Sequence, residues 1–195
     1  MLPLPILADK QNRIAFCGPM AAGKTWCANH LEENYGYIKI SFADKLKEIC
    51  NDLYGYTDRN KKYYRTMLQE LGDTLRGYDD DVFIKSLFRD IKGIEQRSNY
   101  IVVVDDLRFM NEYNLLRKNN FTIIKVTTPI AIRDGRILDL YPEMPATALS
   151  HASEGIWESI PADYGIESIN PKDTERDLKA IMHKVLKNSN SMVAL

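Results

Sequence analysis

The segment GPMAAGKT, residues 18–25, places two glycines, a lysine and a threonine directly behind the apolar run RIAFC. It fits the spacing G-x-x-x-x-G-K-[ST], and each residue type has a physical use in holding a polyphosphate. Gly18 and Gly23 allow backbone angles and close approaches that a Cβ would block. The intervening turn through Met20, Ala21 and Ala22 then directs successive N–H groups inward and forms an anion nest. A helix starting near Lys24 adds the positive end of its dipole. Lys24 can reach β- and γ-phosphates, and the Thr25 hydroxyl suits Mg²⁺. At average residue frequencies the spacing arises by chance in under about 1 % of chains of this length. A bound nucleotide, ATP by expectation, follows from the loop; the destination of its phosphate does not.

Transfer to an acceptor needs a second site and cations that spread the charge of the moving group. In SFADKLKE, Asp44 follows an apparent strand, where it can orient or deprotonate an incoming oxygen; equally, Ser41 and Asp44 fit a capping box. In NKKYYRTMLQELGDTLRGY, Tyr64, Leu68, Leu71 and Leu75 form an apolar stripe. Arg65, Gln69 and Arg76 fall together on another face, because offsets of 4 and 11 return near the starting angle of a helix. Two guanidiniums beside an amide suit a ligand with a phosphate and a hydrogen-bonding base; a solvated face is the alternative. IVVVDDLRFMNE ends an apolar strand in two acids, of which Asp105 or Asp106 can serve Mg²⁺, with Arg108 just beyond. Arg133 and Arg136, three apart after a later strand, suit a closing segment that excludes water and stabilises transfer. His151 and Glu154 in SHASE have a helical spacing but no neighbouring ligands that would make a zinc site.

These residues need a scaffold that gathers them. The runs RIAFCG, YIKISF, YIVVVD, FTIIKVTT and, more weakly, YGIESIN read as strands, separated by segments of helical periodicity. IVVV is apolar at every position, as in a strand covered on both faces. The alternation predicts an α/β fold with a mostly parallel five-stranded sheet and helices on both faces. Ligands in such sheets bind beyond the carboxyl ends of the strands, where the 18–25 loop falls.

With 195 residues, a net charge of −1 and no repeats or linkers, the chain is expected to form one domain over 1–195. The charge excludes a global basic field for nucleic acid, and no apolar run approaches the roughly 18 residues of a membrane span. The first residues, broken by Pro3 and Pro5, do not read as a signal peptide. Cys17, Cys27 and Cys50 form no CxxC pair and are expected as reduced, buried thiols in a cytoplasmic protein.

Taken in order, GPMAAGKT, SFADKLK, YRTMLQELGDTLR, VDDLRFMNE and SHASE resemble the deoxynucleoside monophosphate kinases of bacteriophages, within the P-loop kinase group. The resemblance spans about residues 13 to 185. It implies a three-layer P-loop kinase sandwich, Mg²⁺, and transfer from ATP to a dNMP. It places acceptor helices at about 43–95 and a lid at about 130–145. By position, Gly18, Met20, Ala21, Ala22, Gly23, Lys24 and Thr25 would hold ATP. Thr25 and the motif acid Asp106 would serve the metal. Lys24, Asp44, Arg133 and Arg136 would act in transfer. Lys47, Arg65, Gln69, Arg76, Arg108, His151 and Glu154 would bind the acceptor. A homodimer is compatible with the family. Leu107, Met110 and Ala152 replace Val, Pro and Pro of the usual motifs, so base preference does not carry over. A dephospho-coenzyme A kinase and a P-loop ATPase or switch are the alternatives.

Overall fold

A computed structural model describes residues 12–57, 61–97, 100–140, 142 and 155–192. The elements run β1 (Ile14–Cys17), α1 (Lys24–Tyr35), β2 (Tyr37–Ile40), α2 (Asp44–Tyr54), α3 (Lys61–Tyr78), α4 (Val82–Arg97) and β3 (Ile101–Leu107). They continue with α5 (Met110–Lys118), β4 (Thr122–Thr127), α6 (Ile130–Leu140), a short 3₁₀ turn at Ile156–Ser159, β5 (Tyr164–Glu167) and α7 (Pro171–Met192). All four strand pairings are parallel, in the order β2-β3-β1-β4-β5.

The strand alternation sorts side chains into two cores. Ile14 and Phe16 of β1, Val103 of β3, and Ile124 and Val126 of β4 meet Cys27, Ala28 and Leu31 of α1 and Leu178, Ile181 and Met182 of α7. Ala15, Cys17, Val102, Val104 and Ile123 face the other way, onto residues of α2, α4 and α5. Because both faces are covered, the central strands are apolar at successive positions. The Tyr64, Leu68, Leu71 and Leu75 stripe of α3 packs against this second core, as its spacing predicts. The weakest strand signal, YGIESIN, is the edge strand β5, in which only Ile166 is buried.

The three cysteines are buried free thiols. Burial pushes Cys17 up to about 11 and Cys27 up to about 12, which keeps both protonated and unreactive. Among the described residues no helix is long and apolar enough to cross a membrane.

One charged pair is built into this frame. Arg13, just before β1, donates from Nε and Nη2 to the Glu95 carboxylate at 2.8 and 2.9 Å, and from Nη1 to the Asn119 carbonyl at 3.0 Å. The two side chains are 1 % and 5 % exposed, so neither charge has water to fall back on. Glu95→Ala leaves a buried, uncompensated guanidinium and is expected to destabilise the fold by about 3–5 kcal/mol, read as a shift in urea midpoint at unchanged m value. A change within about 0.5 kcal/mol, the usual range for surface positions, would contradict this.

Candidate active site

Beyond the carboxyl ends of β1, β2 and β3 lies a cavity of about 1050 Å³. Its walls are the 18–25 loop, the β2–α2 connection, the polar face of α3, the end of β3 and part of α6.

The first wall is the loop. Gly18 has φ +138°, and a Cβ there would lie 2.0 Å from the Val126 carbonyl oxygen of β4. Gly23, φ +105°, would place a Cβ 2.8 Å from Ser168 Oγ. Both glycines are thus required by close approach as well as by angle. Ala21 is also left-handed, with φ +59°. Lys24 opens α1 and is 8 % exposed; its Nζ donates to the carbonyls of Gly18 at 2.8 Å and Pro19 at 2.7 Å. The ammonium is therefore curled back over the loop.

The two strand-end acids have different partners. The register of β1 against β3 slips between Ala15↔Val104 and Cys17↔Leu107, so β3 carries an extra residue where Asp105 and Asp106 sit. Such a bulge re-aims side chains. Asp105 accepts the Thr25 hydroxyl at 2.8 Å. Asp106 accepts the backbone N–H groups of Phe42 and Ala43 at 2.8 and 3.0 Å. Burial and the neighbouring Asp105 push Asp106 up to about 6, against those two hydrogen bonds. The sequence left open which of the two acids serves the metal; in the structure Asp105 is on the threonine, while Asp106 pins the β2–α2 connection.

That connection carries Asp44, which accepts from Ser41 N at 2.6 Å and Ser41 Oγ at 2.5 Å, while Lys47 Nζ donates to it at 3.1 Å. The helix begins at Asp44 with Ala43 as its N-cap and no side-chain capping bond, so the capping box expected with Ser41 as N-cap does not form; the Asp44 carboxylate instead closes the turn at Ser41. Asp44 also lines the cavity. Burial works against the Lys47 ammonium, but the carboxylates of Asp44, Asp106 and Asp105 outweigh it and hold the group above its ordinary value.

Arg65, Gln69 and Arg76 of α3 all line the cavity, as does Arg108. Arg76 lies between two phenyl rings, 4.7 Å from the centroid of Phe83 and 4.4 Å from that of Phe109. Glu112 Oε1 is 4.0 Å from its Nη2. Burial draws Arg76 below its ordinary value, with Glu112 and Asp73 opposing. Glu112 itself is 3 % exposed and accepts the N–H groups of Arg108 and Phe109 at 2.9 and 3.0 Å. Burial and the Asp106 charge push it up to about 7. Phe83, Phe109, Glu112 and Ser168 were not among the expected site residues. Glu112 has a local signal, the acid three residues after a chain turn that opens a helix. Phe83 has none.

The two arginines of α6 separate. Arg136 reaches the cavity wall, whereas Arg133 does not line it and lies half-buried, 3.6 Å from Asp134. Both stand three residues apart in α6, whose buried position is Ile137, but only Arg136 lines the cavity. Gly18 and Ala22 are not among the residues that line the cavity, and Ala22 is buried in the core beside α1. His151 and Glu154 lie outside the described residues.

This arrangement can be compared with known proteins. No protein-family model matches the chain. A protein of Acanthamoeba polyphaga mimivirus named "Putative deoxynucleotide monophosphate kinase" is 28 % identical over 144 residues, covering 60 % of this chain and 74 % of that protein. Among solved structures, TT1252 from Thermus thermophilus superposes with a TM-score of 0.56 at 18 % identity, over 90 % of this chain and 99 % of that one. A gluconokinase from Sinorhizobium meliloti 1021 superposes with a TM-score of 0.51 at 14 % identity, over 92 % and 97 %. The fold is the P-loop kinase fold.

The oxygen donors fit the metal that the fold implies. Thr25 Oγ1 and Asp105 Oδ2 are hard ligands side by side. Among the described residues no group of three or more His, Cys, Asp or Glu is placed to hold a metal. Mg²⁺ suits such a site, because it is commonly bound through one or two protein groups, water and substrate phosphates.

Proposed function

We propose that the protein transfers the γ-phosphate of ATP to the phosphate of a deoxynucleoside monophosphate, yielding a dNDP and ADP. The observation that carries this reading is that one cavity joins the lysine-bearing loop to the Arg65–Gln69–Arg76 face of α3. A polyphosphate on the loop and a monoester on that face would lie within one enclosure, as in-line transfer needs. The likeness to the viral protein supports a deoxynucleotide as the acceptor.

In this reading the residues divide the work without covalent chemistry. The nest amides and Lys24 hold the donor phosphates. Thr25 and Asp105 hold Mg²⁺, which neutralises developing phosphate charge when bound. Arg65, Arg76 and Arg108 bind the acceptor phosphate, and Gln69 offers a donor and an acceptor to the nucleoside. Asp44, held by Ser41 and Lys47, orients the acceptor oxygen. Arg76 is preorganised by its two phenyl neighbours, which reduces the entropy lost on binding.

Arg65→Ala is expected to raise the acceptor KM about ten- to a hundred-fold, the worth of one charge-assisted hydrogen bond at about 1.5–3 kcal/mol. The ATP KM should stay near wild type. An unchanged acceptor KM and kcat/KM would remove Arg65 from the site.

The reading is tested by coupled ADP release with Mg·ATP and a panel of acceptors: dTMP, dGMP, dCMP, dAMP, AMP and dephospho-coenzyme A. Turnover with one or more dNMPs supports it. Turnover with dephospho-coenzyme A alone replaces the acceptor and keeps the mechanism. ADP release at the same rate with no acceptor overturns the reading in favour of an ATPase.

A further inference from the structure

Arg136 was expected to meet the transferred phosphoryl group, yet its guanidinium is engaged with backbone. Nη1 donates to the carbonyls of Ala21 at 3.2 Å and Ala22 at 3.5 Å; Nη2 donates to those of Ser168 and Ile169 at 3.1 Å each. Both nitrogens of the fork that would grip a phosphate are thus committed to peptide oxygens. The contacts join three separate pieces of chain: α6, the 18–25 loop and the turn that follows β5.

Their consequence falls on the loop. In a trans peptide the carbonyl and the following N–H point in opposite directions. Holding the Ala21 and Ala22 carbonyls from the α6 side therefore fixes the direction of the Ala22 and Gly23 N–H groups. A cationic donor on the carbonyl also polarises the peptide and strengthens its N–H as a donor. Ala21 is left-handed, which a residue with a Cβ adopts only when its surroundings impose it. The same turn that Arg136 grips also backs Gly23, where Ser168 Oγ leaves no room for a Cβ.

We infer that Arg136 is a positioning residue of the phosphate loop: it fixes peptides 21–23 by tying them to the turn at 168–169, and does not act by touching the moving phosphoryl group. This rests on the phosphate-loop reading above but not on the identity of the acceptor.

Two measurements on the full chain decide it. The first needs no ligand: amide hydrogen exchange at Ala22 and Gly23 in wild type, Arg136→Lys and Arg136→Ala. Exchange is expected to rise about ten-fold or more in the alanine variant, with the lysine variant between, because one or two charge-assisted bonds are lost. Unchanged protection in β1 and β3 shows that the variants are folded. Unaltered exchange at Ala22 and Gly23 overturns the inference. The second is titration with tripolyphosphate and with Mg·ATP in the absence of acceptor, followed by KM and kcat. Affinity for both ligands is expected to fall about ten-fold or more, while kcat at saturation falls by less. A kcat loss of about a hundred-fold with intact affinity overturns the inference, because it marks a group acting only in the transition state. Failure of the inference alone leaves wild-type binding in place. A wild-type chain that binds neither ligand overturns the phosphate-loop reading as well.

Discussion

Lys24→Ala is expected to lower turnover with Mg·ATP by about a thousand-fold, near the upper range for deleting one preorganised electrostatic donor. The reason lies in where the ammonium is kept. It is almost wholly screened from water and already bent over the loop by the Gly18 and Pro19 carbonyls. In so shielded a place a positive charge interacts with phosphate far more strongly than at an open surface. The fold should survive, because the variant orphans two carbonyls at an expected cost of about 1–3 kcal/mol and leaves both cores untouched. Lys24→Arg should fare little better, since a planar fork cannot replace a point donor threaded between two carbonyls. Steady-state kinetics beside circular dichroism checks this. Near-normal turnover in a folded alanine variant would end the assignment of the loop.

Gly18→Ala is the second large effect, and it strikes stability and activity together. Its Cβ would stand 2.0 Å from a carbonyl oxygen of β4, at a φ of +138° that side chains avoid. Val126 belongs to the strand that pairs with β1, so relief requires opening that pairing. Strain and overpacking together are expected to cost about 3–5 kcal/mol. Gly36→Ala and Gly55→Ala are the controls. Both have φ +70° with no atom within 4 Å of the added Cβ, so only the left-handed cost of about 1–2 kcal/mol applies. Chemical denaturation ranks the three variants. If Gly18→Ala proves no worse than the controls, the close approach of loop to β4 is wrong.

The parts of this molecule that were legible from its residues are those governed by local pattern. Apolar runs on a two-residue period and stripes on a helical period follow directly from backbone geometry, so the strands, their order of appearance and the α3 stripe could be read. The loop was legible because its glycines are needed for steric reasons that hold in any such turn. The polar set Arg65, Gln69 and Arg76 could be grouped because one helix carries all three. What could not be read depends on partners distant in the chain. The roles of Asp105 and Asp106 are divided by a bulge in β3, which arises from pairing with β1 and has no mark in VDDL. Arg76 owes its setting to Phe83 and Phe109, which come from two other segments. Arg136 looked like a phosphate ligand because arginine so often is one; only the packing of α6 against two loops reveals that carbonyls claim it. Asp44 lines the cavity and closes the turn before its helix, but the N-cap is Ala43, because the chain turns through Phe42 and Ala43 before the helix starts.

In the proposed reaction the phosphate leaves the loop for the α3 wall of the same cavity. The direct measurement is to supply ATP labelled in its γ-phosphate together with each dNMP and to follow the label. Label is expected in the β-phosphate of the matching dNDP, in step with ADP. Label appearing only as inorganic phosphate, at a rate indifferent to any acceptor, would contradict it.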